Sequence, residues 1–307
     1  MILLPVAAVI PTRNRPEALG RALDSLLQAD YAIDQVIVID ASDDNSTRDA
    51  IARLAQRIPH TAWHWAAATK RGAAAQRNQG IALADKPYVW FMDDDVVLAP
   101  GCGRLLWQAL EARTELGGAS AMITNQKYHP PGFASSLIFA LMNGRREASY
   151  AGKVLGPAVS LLPDDDDALP EVVPVEWLNT TCTMYRRIAL PDPPFDSVFT
   201  GYSLMEDLTL SLRVAQGWQL ANVRAAKVFH DSQPGPHKAD VRERARMELV
   251  NRHYVMTQVL RRTRPGDYAR LAVWELFQLA TLAWGDRLGR AFWKSVAGKL
   301  RALRSIT

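Results

Sequence analysis

Short apolar, β-branched runs alternate with helical periodicity in the first hundred residues, and this alternation leaves few architectures open. Residues 6–10 are apolar throughout, as a strand covered on both faces should be. Pro16 suits a first helical turn, and Leu19, Ala22, Leu23, Leu26 and Leu27 follow it at helical spacing. Residues 36–39 read as a second strand, 62–66 as a third and 88–92 as a fourth. Ser46 is positioned to cap a helix carrying Ile51, Leu54 and Ala55, and 72–84 predicts another helix. This order predicts an α/β fold with a doubly wound, mostly parallel sheet. Such sheets bind ligands beyond the carboxyl ends of their strands. Asp40 and the cluster Asp93, Asp94 and Asp95 fall at such ends.

The middle is less regular. Residues 129–170 contain Pro130-Pro131, an apolar stretch over 137–142 and four consecutive aspartates from Asp164. Order returns near 175 and continues to about 229, and from about 241 the pattern is helical. The expected organisation is one α/β domain over 1–235 and a C-terminal helical region over 236–307. Cys102 and Cys182 lack zinc-ligand spacing and cannot build a disulfide framework, which favours a reduced, cytoplasmic setting. The opening residues have neither the cationic start of a secretory signal nor the length of a membrane span.

Charge is informative once located. Over 285–307, Arg287, Arg290, Lys294, Lys299, Arg301 and Arg304 face Asp286 alone, an excess larger than the net +4 of the whole chain. The basic character is therefore a property of the tail, which argues against a nucleic-acid partner. Ahead of it, 271–284 is apolar apart from Glu275, Gln278 and Thr281. Fourteen residues at about 1.5 Å each fall short of the roughly 30 Å hydrocarbon core. Leu288, Phe292, Val296, Leu300 and Leu303 form a stripe beside the basic residues. Such a helix fits an anionic membrane surface, or it packs on the preceding domain with its charges solvated.

Several side chains carry chemistry. Three carboxylates after a buried strand repel one another and call for a proton or a hard cation such as Mn2+ or Mg2+; an acidic surface turn is the other reading. Asp40 can accept hydrogen bonds from a nucleotide, or it can belong to the turn-rich 41–45 segment. Arg77 offers a planar fork for phosphate, or a solvated surface charge. Glu206 and Asp207 open a helical pattern, where acids complement the dipole and where a carboxylate can also act as a general base. His230, at a predicted strand end, can complete a metal site or serve a structural role. Asp164, Asp165, Asp166 and Asp167 have no apolar strand before them and read as a solvated loop instead of a metal site.

The order of these elements is more specific than any one of them. The series runs 9–15 (Val-Ile-Pro-Thr-Arg-Asn-Arg), Val38-Ile39-Asp40, Gln76-Arg77-Asn78-Gln79-Gly80, Phe91-Met92-Asp93-Asp94-Asp95, Gly201-Tyr202 with Glu206-Asp207 and Arg213, then His230. It resembles glycosyltransferase family 2 over roughly 5–235. The resemblance implies a GT-A type, Rossmann-like nucleotide-diphospho-sugar transferase fold with a C-terminal helical appendage. It implies that Pro11, Thr12, Asp40 and Arg77 border a nucleotide-sugar donor, Asp40 reading the base. Asp93 and Asp94 would lie at the donor diphosphate, and Asp93 and Asp95, with His230 nearby, would hold the metal. Asp207 would be the catalytic base of an inverting transfer of a hexose or deoxyhexose. The acceptor hydroxyl would belong to a glycan or lipid-linked cell-envelope polysaccharide precursor, at the cytoplasmic membrane face. Ala41-Ser42 and the segment 177–181 lack glycines common in the family. The rival from another class is a non-catalytic protein of the same fold that docks on membranes or senses nucleotide sugars. The retained Asp95 and Asp207 weigh against it.

Overall fold

The computed structural model describes residues 2–57, 60–232 and 240–306. The chain opens as β1 (Ile2–Thr12), α1 (Pro16–Leu27), β2 (Tyr31–Asp40), α2 (Ser46–Ala55), β3 (Ala62–Ala67), α3 (Ala73–Leu83), β4 (Tyr88–Met92), β5 (Val96–Leu98), α4 (Cys102–Ala112) and β6 (Leu116–Ile123). It continues with α5 (Phe133–Asn143), the paired β7 (Val154–Leu155) and β8 (Val159–Ser160), then β9 (Val172–Val175), β10 (Cys182–Arg186), α6 (Glu206–Val214) and β11 (Gln219–His230). Three helices follow: α7 (Val241–Tyr254), α8 (Pro265–Asp286) and α9 (Arg290–Ile306).

The main sheet runs β3-β2-β1-β4-β10-β6-β11-β5, with β9 also paired to β11. Strands β3, β2, β1 and β4 are mutually parallel, as the alternating pattern predicts, and β11 is parallel to β6. β10 enters antiparallel between β4 and β6. The strands outrun the apolar runs that announce them: β1 begins at Ile2 and β2 at Tyr31, because backbone pairing continues past the buried stretch. Ser46 is the first residue of α2, not its cap. Asn45 precedes it, and the Ser46 hydroxyl donates to Asp44. One face of the sheet in this half is covered by a single cluster that includes Leu4, Ile10, Leu19, Val38, Trp90 and Leu106, all buried.

Residues 2–128 and 162–232 form one compact unit, and 129–161 with 240–306 form a second. The expected division at 235/236 lies outside the described residues. In the second unit, Met142, Tyr150, Leu155, Val159 and Trp274 make one cluster, and Leu249, Met256, Leu271 and Ala302 another. The helix foreseen over 271–284 is α8, which is longer than its apolar middle. Among the described residues no helix is long and apolar enough to cross a membrane. Helix α9 packs on α7 through a narrow face: a Cβ on Gly298 would lie 2.2 Å from the Arg242 carbonyl oxygen.

Gly80 sets the position of α3. A Cβ there would meet Val9 Cγ1 at 2.4 Å. This close approach lets the Gln76 amide donate to the carbonyls of Thr12 (3.0 Å) and Ile39 (2.8 Å), at the ends of two parallel strands. Gly80→Ala is expected to destabilise the protein by about 1–3 kcal/mol through overpacking, despite alanine's better helix propensity. Urea unfolding measures this, and an unchanged midpoint would contradict so tight a helix–sheet approach.

Candidate active site

Strand ends gather the site. Thr12 ends β1 and lies opposite Asp40, the last residue of β2. Asp93 follows β4 directly, and its backbone N–H donates to the Thr181 carbonyl. Asp95 precedes β5, whose Val96 pairs with His230 at the end of β11. That pairing brings His230 to the acidic cluster from 135 residues further along the chain. Ligand atoms of Asp93, Asp95 and His230 lie within 4.8 Å of one another, with Asp95 buried. His230 Nε2 is 3.2 Å from Asp95 Oδ1. Two carboxylates and an imidazole suit a hard or borderline divalent ion such as Mg2+ or Mn2+.

Asp94 faces another way. It accepts from the Thr12 hydroxyl at 2.7 Å and from Arg15 at 3.2 Å. Burial pushes its carboxyl up to about 6, against the pull of Thr12 and Arg15. Asp94 thus fastens the cluster to the end of β1. Arg15 also lies 3.5 Å from Asp95, so one guanidinium offsets two of the three aspartates.

Arg77 is almost wholly buried and spans two acids. It donates to Asp93 at 2.7 Å and to Glu206 at 2.9 Å. The sequence suggests a phosphate ligand or a surface charge here; the structure gives a bridge between the acidic cluster and the start of α6. The turn before α6 holds Gly201, Ser203 and Met205 at positive φ. Strain of this kind collects at functional sites. Gly72, at φ +129°, pairs with Gly201 and would crowd its backbone with a Cβ. The turn delivers Glu206 and Asp207 as adjacent acids. Burial pushes Asp207 up to about 6, although the Leu208 N–H, 2.7 Å from its Oδ1, and Arg77 both favour the charged form. Burial and the neighbouring Asp207 raise Glu206 too, and Arg77 opposes this. A carboxyl raised in this way suits proton transfer, as it does structural pairing.

Asp40 is buried, and both its oxygens have local partners: the Ser42 N–H at 2.9 Å and the Trp65 indole N–H at 3.2 Å. The guanidinium of Arg48 lies over Trp65, 5.1 Å from the ring centroid. Pro11 is buried beside Thr12. Asn14 and Asp43 exchange hydrogen bonds, closing the β1 and β2 loops on each other. The four aspartates from Asp164 take no part in the Asp93, Asp95 and His230 group. Asp165 pairs with Lys227 and Arg224, and Asp167 with Arg224, so this loop is pinned to β11 instead of being merely solvated. Residues that sequence reasoning left without a role are Arg15, Gln76, Asn125 and Gln126. Each acts across a separation that no local pattern encodes.

Residues 7–148 match the model of glycosyl transferase family 2. Over that stretch the chain is similar to this family. A curated relative, the GalNAc(5)-diNAcBac-PP-undecaprenol beta-1,3-glucosyltransferase of Campylobacter jejuni, is 26% identical over 103 residues, or 34% of this chain. The match covers only 33% of that relative's length. Three solved structures share the GT-A fold. A mannosyltransferase of Pyrobaculum calidifontis in complex with GDP-Man and Mn2+ has a TM-score of 0.59 at 18% identity, covering 99% of this chain and 88% of the other. GalNAc-T7 with UDP, GalNAc and Mn2+ has a TM-score of 0.54 at 14% identity, covering 80% and 47%. TarS of S. aureus has a TM-score of 0.51 at 14% identity, covering 94% and 46%.

Removing Arg77 should strand two buried acids. Arg77→Met is expected to cost about 3–5 kcal/mol, the usual size for a broken buried pair. A thermal melt at neutral pH checks it. An unaltered melting temperature would mean that the bridge from Asp93 to Glu206 contributes nothing to the fold.

Proposed function

We propose that this chain is an inverting, metal-dependent glycosyltransferase that moves a sugar from a nucleotide-sugar donor to a hydroxyl acceptor. The observation that carries the reading is the convergence, at one sheet edge, of the Asp93, Asp95 and His230 group with the raised carboxyl of Asp207, whose neighbour Glu206 shares Arg77 with Asp93. The two roles need different chemistry, and each set of residues suits one of them.

Asp93, Asp95 and His230 would hold Mn2+ or Mg2+, which when bound neutralises charge developing on a departing diphosphate. Arg15, half-exposed beside the cluster, is free to follow the diphosphate as its aspartates are engaged. Pro11, Thr12 and Asp40 would border the nucleotide, with Asp40 fixed in orientation by Ser42 and Trp65. Asp207 would take the proton of the acceptor hydroxyl as its oxygen attacks the anomeric carbon. The carbon–oxygen bond to the diphosphate breaks on the opposite face, which inverts the centre. Holding donor and acceptor in line supplies much of the remaining acceleration.

Asp207→Asn should retain donor binding and lose about a hundredfold or more in turnover, since a general base acts in the transition state. Radiolabelled nucleotide-sugar panels with and without Mn2+ provide the assay. Near-normal turnover would reduce Asp207 to a helix-start acid. In the wild type the base form is needed, so the rate should fall as pH drops through about 6, where burial sets the Asp207 carboxyl. A rate flat down to pH 5 would contradict that role.

The acceptor proposed is lipid-linked, met at the surface of an anionic membrane. Support comes from an inversion within the second unit. On α9 the large apolar residues Trp293, Leu300 and Leu303 are exposed, whereas Ser295, Gly298, Lys299 and Ala302 are buried. Trp284, at 90% exposed, and Leu288 precede them, and Arg287, Arg290, Lys294, Arg301 and Arg304 flank the stripe. Aromatic and aliphatic tips among cations fit a lipid interface, and each basic residue near an anionic surface adds about 1 kcal/mol. Phe292 and Val296 are half-buried, so the binding face is narrower than the sequence stripe. Truncating α9 would expose the buried Glu275 that pairs with Lys299, so point substitutions are the cleaner test. Trp293→Ser combined with Leu300→Ser should abolish co-sedimentation with phosphatidylglycerol vesicles at low salt and leave the melting temperature within a few degrees. A wild-type protein that never sediments, or a double variant that sediments fully, would sink the membrane proposal.

A further inference from the structure

The turn after β6 grips the end of β11 through side chains. The Asn125 side chain bonds reciprocally with the backbone of His230: its amide donates to the His230 carbonyl at 2.9 Å and its oxygen accepts from the His230 N–H at 3.1 Å. The neighbouring Gln126 reaches the ring itself, with Nε2 3.0 Å from His230 Nδ1. Thr124 adds its backbone N–H and its hydroxyl to the Val228 carbonyl. Three consecutive polar side chains are thus spent on one strand end, with two of them addressing a single residue. The β11 strand is irregularly registered against β6 between Val223 and Lys227, just before this clamp, so pairing alone does not fix where His230 falls.

The ring contacts define a tautomer. With the Gln126 amide N–H donating to Nδ1, the imidazole proton sits on Nε2 and points at Asp95 Oδ1, 3.2 Å away. Binding a metal through Nε2 requires that lone pair to be free, so the proton must move to Nδ1. Nδ1–H then needs an acceptor. A carboxamide supplies one by a half-turn that exchanges its nitrogen for its oxygen, and Gln126 is therefore able to satisfy both forms of the ring. A carboxylate could satisfy only the metal-binding form, and an aliphatic side chain neither. Partners on the far nitrogen of a ligating histidine commonly set its orientation and are worth about 10–100-fold in metal affinity.

We propose that Asn125 and Gln126 are positioning residues for divalent-metal binding, the first fixing the backbone of His230 and the second its ring and tautomer. The proposal rests on the reading of Asp93, Asp95 and His230 as the metal site, and the test separates the two. Mn2+ binding is measured by electron paramagnetic resonance on the full chain without donor, for wild type, His230→Gln, Gln126→Leu and Gln126→Glu, with the melting temperature of each. Gln126→Leu should weaken Mn2+ about 10–100-fold, whereas Gln126→Glu, which can only accept from Nδ1–H, should bind Mn2+ at least as tightly as wild type. Imidazole nitrogen shifts of metal-free protein give a second readout: Nδ1 should carry no proton in wild type and should carry one in Gln126→Glu. If wild type binds no Mn2+, or His230→Gln binds it normally, the metal reading falls and the positioning proposal with it. If His230→Gln weakens binding and Gln126→Leu does not, the positioning proposal alone is overturned. Equal weakening in Gln126→Leu and Gln126→Glu, with a shared drop in melting temperature, would assign Gln126 to packing and overturn it as well.

Discussion

The density of negative charge at the carboxyl edge of the sheet is the constraint on which the site depends. Asp93, Asp94 and Asp95 crowd the end of β4, and Glu206 and Asp207 approach from α6. Like charges at this separation cannot all ionise without compensation. The protein compensates in three ways. Thr12 and Arg15 hold Asp94 and part of Asp95, Arg77 is shared between Asp93 and Glu206, and the imidazole of His230 lies against Asp95. The compensation is incomplete, and burial leaves Asp94 and Asp207 both pushed up to about 6. A cation held between Asp93, Asp95 and His230 would relieve the same imbalance.

The scaffold follows from that demand. Rigid strand ends help hold carboxylates this close, and Asp40 and the Asp93 to Asp95 cluster sit where β2 and β4 stop beside β1 in parallel register. Helix α3 must come close to carry Arg77 between two acids, and the missing Cβ of Gly80 permits it. The strained turn from Gly201 to Met205 then directs two acids of α6 toward Arg77. Backbone strain, a glycine contact and a buried ion bridge are parts of one arrangement.

Much of this was legible in the sequence, and the division between legible and illegible is physical. Apolar runs announce β1, β2, β3 and β4 because parallel central strands are buried on both faces. The aspartates stand out because polar residues so rarely interrupt such a run without cause. The sequence did not disclose α5, whose apolar residues lie within a proline-rich, irregular stretch. It did not disclose the antiparallel insertion of β10, because strand order depends on pairings far apart in the chain. Arg77 was visible as a candidate but its partners were not, since Asp93 and Glu206 lie 16 and 129 residues away. Asn125 and Gln126 carry no local signal, being two ordinary polar residues after a strand.

The second unit reverses the usual economy of a helix. Lys299 is buried on α9 against Glu275 of α8, while Trp293, Leu300 and Leu303 face outward. Arg252 of α7 joins the same buried network through Glu248 and Glu275. Buried ion pairs of this kind seldom add net stability over an apolar core, because desolvation offsets their attraction. What they do provide is directional: Lys299 cannot rotate outward without giving up Glu275 and leaving that acid to Arg252 alone, so the ion pair fixes which side of α9 faces in. The exposed stripe is then a consequence of the buried charges. A helix held only by small residues such as Gly298 and Ala302 could roll to hide its leucines, and the salt bridge makes that rotation costly. On this argument the polar interior of the second unit and its apolar exterior are one device, an outward-facing surface kept in place by charges turned inward.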